Sequence, residues 1–204
     1  MALNVDVSAV LASLTTAGLQ AVLCKLPPRG ARFPGDEQDI AMFIERSKNK
    51  NVVCYRAVFT ERSQCRLNPQ APLDAYWLDV DPEYVKANRK AGKSDDRCEL
   101  NFIDRTMAYG HSVNEITEVQ GMTVVDISFV ALKDRTLKLC AGKETATGEV
   151  WPLLLATVDG KPSVVSRIFV NSTENFIGLP SVQYVEIFGI DLFSGEASYE
   201  KKLP

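Results

Sequence analysis

Histidine is nearly missing from this chain: His111 stands alone among 204 residues. Any Ser/His/Asp or Cys/His machinery must therefore run through that one imidazole. A Cys/His zinc site would need several distant partners to join it, and no metal or cofactor is expected. Cysteine adds little, because Cys24, Cys54, Cys65, Cys98 and Cys140 stand far apart and no pair approaches CxxC spacing. They read as free thiols of a reducing compartment. A secreted chain would leave room for a Cys54–Cys65 bridge across one strand connection. No GxSxG elbow or cysteine-protease signature surrounds a nucleophile. Gly121, Gly142 and Gly148 are isolated, with neither GxGxxG nor GxxxxGK(S/T) around them.

Runs of one charge are missing too. The densest basic segment, Lys86 to Lys93, is followed at once by acidic neighbours, and the net charge is −3. Phosphate-backbone binding needs a concentrated basic surface, so a nucleic-acid platform is excluded. No stretch reaches the roughly 20 firmly apolar residues of a membrane span. Val7 to Cys24 is moderately apolar, but Thr15, Thr16 and Gln20 interrupt it and no basic residue precedes it. It reads as an ordinary helix and the chain as cytoplasmic, secreted only if residues 1–24 act as a signal. An apolar fraction of 46% and a charged fraction of 24% are ordinary for a globular chain.

What is present is mostly strand. Ile40 to Phe59 holds two β-branched and aromatic runs around Lys48-Asn49-Lys50-Asn51. That is the pattern of a β-hairpin, and apolar residues on both of its faces predict cover on each side. Pro72 to Val80 predicts a third strand, with Ala75 and Trp77 opposite Tyr76 and Leu78. Met122–Ala131, Leu137–Leu139, Val150–Val158, Ser163–Val170, Val182–Ile190 and Glu196–Lys202 follow as strands, with a hairpin turn at Asp159-Gly160. Thr60–Ala71 reads as a connection.

Two helices complete the expectation. The first runs from Asn4 or Asp6, with Val7, Val10, Leu11, Leu14, Gly18, Ala21 and Val22 at helical spacing and Pro27-Pro28 as its stop. The second is capped by Asp96, buries Leu100, Phe102, Ile103, Met107 and Tyr109, and ends at Gly110. Asp81-Pro82-Glu83 opens a short surface helix to Ala91. The result is a mainly β, α+β fold: an antiparallel meander of about eight strands, barrel or two-layer sandwich, with two helices packed on it. Residues 1–39 form the N-terminal helix and loop, and residues 40–204 a single β-rich domain.

Several of these stretches carry a resemblance. Phe43 to Tyr55, Pro72 to Trp77, Leu100 through Arg105 to Gly110, and Tyr184 to Asp191 with Ser194-Gly195 resemble, in order, motifs of the DUF4833 family, a largely bacterial domain of unknown function. The resemblance covers about Ile40 to Pro204, with Tyr84–Lys93 as an insertion. Family members often begin with a secretory signal. The resemblance implies no reaction, cofactor or catalytic residue.

Arg46, Tyr55, Trp77, Arg105 and Tyr109 are the candidate ligand residues. Two guanidinium groups between aromatic walls suit a carboxylate or phosphate. The competing role for Arg46 and Arg105 is a structural salt bridge to Glu45, Asp74 or Asp104. The expected function is a binding or interaction module for a small anionic ligand or a protein partner. The alternatives are a small hydrolase centred on His111 or on Asp79/Asp81, and a structural subunit docked through its N-terminal helix.

Overall fold

The alternating apolar runs form strands whose two faces bury in different places. The computed structural model describes residues 7, 9–10, 22–26, 38–47, 49–79, 97–119, 121–174 and 180–204. In chain order these hold β1 (Ile40–Arg46), β2 (Asn49–Ala57), β3 (Phe59–Glu61), β4 (Arg66–Leu67), β5 (Leu73–Leu78) and β6 (Arg97–Glu99). A short helix α1 (Phe102–Asp104) runs into a π-helical turn (Arg105–Tyr109). Then come β7 (His111–Val119), β8 (Met122–Phe129), β9 (Leu132–Lys143), β10 (Val150–Val158), β11 (Lys161–Glu174), β12 (Pro180–Asp191) and β13 (Ala197–Lys202).

The hairpin at the polar break forms, with Arg46 opposite Asn49 and Phe43 opposite Cys54. Val158 faces Lys161 across Asp159-Gly160. Both turn residues take positive φ, 48° and 77°, as a two-residue type I′ turn demands.

The expected antiparallel meander is corrected at β1. It pairs with β11 in parallel, Phe43 opposite Arg167 and Arg46 opposite Val170, while the other pairings are antiparallel. The sheet is therefore mixed, and among the described residues it has eleven strands where about eight were expected, in the order β6-β5-β2-β1-β11-β10-β9-β8-β7 with β12 and β13 branching from β11. The reason lies in β11. β12 occupies one edge of that strand over Ser163–Glu174. The other edge is shared, with β10 along Lys161–Val165 and β1 along Arg167–Val170. A register shift between Val165 and Arg167 marks the handover. Two branches fork from that edge and curl toward each other into a half-barrel, neither the closed barrel nor the two-layer sandwich expected.

The largest core lies between the branches. Met42, Ile44, Val53, Tyr55 and Ala75 from one meet Val125, Ile127, Phe129, Leu137, Leu139 and Leu154 from the other. Opposite faces of the same strands bury elsewhere. Phe43, Val52, Cys54, Tyr76 and Leu78 form one outer cluster. Val124, Cys140, Leu153 and Leu155 form another, joined by Val7, Val10, Val22, Leu23 and Leu26. The hairpin expected to be covered on both faces is so covered.

The helices differ more. Most of the expected N-terminal helix lies outside the described residues, as does the short helix from Asp81. Residues 7, 9–10 and 22–23 are helical. The central helix does not begin at Asp96: Arg97–Glu99 is a strand paired with β5. Helical structure starts after Asn101, whose side chain accepts from the Asp104 N–H at 2.8 Å. The π turn then adds a residue to the turn, so faces read at α spacing no longer hold. Leu100 and Tyr109 are buried, but Phe102, Ile103 and Met107 are 81%, 68% and 74% exposed. Thr60–Ala71 is more than a connection, since β3 and β4 pair within it. His111 begins β7, a strand absent from the expected set.

Candidate functional site

Strand alternation puts Arg46, at the end of β1, on the same face as Met42 and Ile44, and Trp77 of β5 on the face of Leu73 and Ala75. The Arg46 guanidinium stands 4.7 Å from the Trp77 ring centre and 5.4 Å from that of Tyr109. The Trp77 and Tyr109 rings meet edge to face at 5.1 Å. The Trp77 indole N–H donates to Asp104 Oδ2 at 3.1 Å. Behind them the buried Tyr55 hydroxyl donates to the Tyr109 carbonyl at 2.9 Å. Four of the five sequence-chosen residues thus come together, as a cation–aromatic stack that ties the π turn to β1, β2 and β5. Burial holds the Tyr109 phenol above its ordinary value, Arg46 pulling it down and Asp104 pushing it up.

Among the described residues, the salt bridges weighed for the arginines do not form. Glu45 pairs with Arg167 at 2.7 Å, Asp74 with Arg56 at 3.1 Å, and Asp104 accepts from the Trp77 indole N–H.

Arg105 goes elsewhere. Its Nε–H donates to the Leu100 carbonyl at 3.0 Å, and it lines a cleft of about 390 Å³ at the junction of the π turn, β7 and β8. The junction is closed tightly. The Val130 N–H donates to the Gly110 carbonyl at 2.9 Å, pinning the β8–β9 turn against the end of the π turn. A Cβ on Gly110 would stand 2.0 Å from the Arg105 carbonyl oxygen. Gly110 is there because nothing larger fits; its φ of −65° is open to any residue.

Facing Arg105 in the cleft are Lys133, His111 and a cross-strand serine pair, Ser112 and Ser128, with Phe129 and Val130 as apolar wall. Ser128 Oγ accepts from Asn114 Nδ2 at 2.8 Å, which leaves its own proton to donate. His111 Nε2 lies 3.1 Å from the Leu73 carbonyl oxygen. A carbonyl only accepts, so Nε2 carries the proton and, in the neutral ring, Nδ1 carries the lone pair. Burial holds the imidazole below its ordinary value, helped by Arg105 and opposed by the Leu73 contact and Asp74. No carboxylate among the described residues lines the cleft. Among the described residues neither Arg105 nor Lys133 takes part in an ion pair.

Of the residues weighed for other chemistry, Asp79 lies half-buried just past the end of β5 and Asp81 lies outside the described residues. Among the described residues no group of three His, Cys, Asp or Glu side chains could hold a metal, and no helix is long and apolar enough to cross a membrane. All five cysteines are free thiols, Cys54 in the outer cluster of β1, β2 and β5. Lys133, Ser112 and Ser128 were missed. The only local signal was a lysine just past the Val130-Ala131 turn.

A mixed β half-barrel with a polar cleft at one strand junction is a scaffold, and such scaffolds serve many functions. The match to a family model described as "Domain of unknown function (DUF4833)" runs over residues 42–201, most of the chain. The protein belongs to that family. No curated protein and no solved structure matches it.

Proposed function

We propose that the protein is a binding module for a small anion, held in the cleft between the π turn and the β7–β8 strands. Arg105 and Lys133 supply the positive charge, Ser112 and Ser128 hydroxyl donors, and Phe129 and Val130 the wall for the remainder of the ligand. The observation that carries this reading is the charge of the lining: two cations and no carboxylate. Paired cations left without carboxylates attract a negative guest, and charge-assisted hydrogen bonds to it are the strong ones. The volume falls in the range of small-molecule sites, roughly 300–1,000 Å³.

Arg46, Trp77, Tyr109 and Tyr55 serve this reading as the buttress that fixes the π turn and hence Arg105. A hydrolase at His111 has less support. Among the described residues the one hydrogen bond of this imidazole is to a carbonyl, and no nucleophile is held by it.

Isothermal titration of the full chain with inorganic phosphate tests the proposal. Binding is expected, weakened about tenfold or more in both Arg105→Ala and Lys133→Ala, the loss of one charged hydrogen-bond donor. Absence of binding in the wild-type protein, or equal affinity in both variants, would overturn it.

A further inference from the structure

An anion cleft built only of donors would take any anion of the right size. This one holds an acceptor as well. His111 lines the cleft, and its Nε2–H is committed to the Leu73 carbonyl at 3.1 Å. The ring lies edge to face with Tyr55 at 6.2 Å and tilted beside Phe129 at 6.2 Å, both core residues. The nitrogen left for a ligand is therefore Nδ1, which in the neutral ring offers a lone pair and no proton. Arg105 on the cleft side favours that state; Asp74, beside Leu73, works against it but is itself paired with Arg56 at 3.1 Å.

We infer that the cleft selects an anion that keeps a proton, a phosphoryl group carrying P–OH, over a fully deprotonated anion of the same size. The inference rests on the anion-binding reading above and narrows it. Arg105, Lys133 and the serine hydroxyls donate to the charged oxygens, while the P–OH proton goes to His111 Nδ1. Sulfate has the same shape and charge range but no proton to give. One of its oxygens would face a lone pair, and a buried acceptor would be left unmatched. Selectivity of this kind is a penalty against the wrong ligand more than a gain for the right one.

The test is a pair of titrations of the full wild-type chain at neutral pH, with inorganic phosphate and with sodium sulfate. Phosphate is expected to bind at least about tenfold more tightly, the equivalent of one unmatched buried acceptor. His111→Phe keeps an aromatic ring against Tyr55 and Phe129 but has no nitrogen, and it should bring the two affinities together. If that variant does not fold, the wild-type ratio still decides. Equal binding of both anions would overturn the proton-selective site while leaving the anion cleft standing. Binding of neither would remove the cleft reading itself. A third titration, with ethyl phosphate, tells the sources apart. Tighter binding than inorganic phosphate places an ester group beside Phe129 and Val130, and weaker binding leaves free phosphate as the guest. Either supports the inference only alongside the phosphate-over-sulfate ratio.

Discussion

Arg46 and Trp77 sit on strands separated by β2, yet the guanidinium lies 4.7 Å from the indole ring centre. The same indole holds Asp104 by its N–H. The pair joins the end of the first hairpin to the helical segment that carries Arg105. Arg46→Ala should lower stability by about 1–2 kcal/mol, the worth of a partly desolvated cation–π contact with its packed stem. Phosphate affinity should fall less than in Arg105→Ala, since Arg46 positions Arg105 without lining the cleft. Urea unfolding and calorimetric titration of one preparation check both halves.

Gly110 is held by space, not by φ. With the Arg105 carbonyl oxygen 2.0 Å from where a Cβ would be, Gly110→Ala must push the π turn off the β7–β8 corner. A loss of about 1–3 kcal/mol is expected, as for overpacking elsewhere. Anion affinity should fall in the fraction that remains folded. A substitution that left thermal stability unchanged would show that the junction is looser than described.

Stability should fall with pH through the histidine range. The His111 imidazole is held below its ordinary value, burial being the main cause. The unfolded chain therefore takes up a proton first as pH drops. The stabilisation is whole above the unfolded histidine value and diminishes as pH falls below it toward the folded one. Comparing urea midpoints at pH 7.5 and about pH 5.5 for wild type and His111→Phe isolates this contribution. The variant should lose part of the wild-type decline, and identical declines would count against a buried neutral imidazole.

Glu200 does a similar job at the far end of the sheet. Its carboxylate accepts from both terminal nitrogens of Arg135, at 3.0 and 2.7 Å, and from the Asp159 N–H at 2.9 Å. Burial pushes the carboxyl up, but Arg135 and the Asp159 N–H more than offset it and hold it below its ordinary value. The contribution is present above the unfolded carboxylate value and is lost as pH falls through the folded one. Glu200→Gln should cost about 1 kcal/mol, more than an exposed pair and less than a fully buried one. It should also speed amide exchange in β13 and at the Asp159–Gly160 turn.

The local half of this structure was legible in the residues. Val53 and Tyr55 against Val52 and Cys54 announced a hairpin buried on both faces, and Asp159-Gly160 announced its turn. The long-range half was not. Nothing near Phe43 says that its parallel partner is Arg167, because that pairing depends on how β11 divides its edge between β10 and β1. The central helix misled for a related reason. Phe102, Ile103 and Met107 have apolar side chains at helical spacing, but they stay exposed while Leu100 and Tyr109, at the two ends of the segment, are the residues that bury. The candidate residues split accordingly. Arg46, Trp77 and Tyr109 could be chosen by chemistry alone, whereas Lys133 comes to Arg105 through long-range pairing, His111 opposite Phe129 and Gly110 bonded to Val130.

The most direct test of the anion cleft is a nitrogen-15 amide spectrum of the full chain titrated with inorganic phosphate. Shifts should centre on Gly110, His111 and Ser112 and on Val130 to Lys133, and should saturate. Shifts confined to the Arg46–Trp77 stack, or none at all, would contradict it.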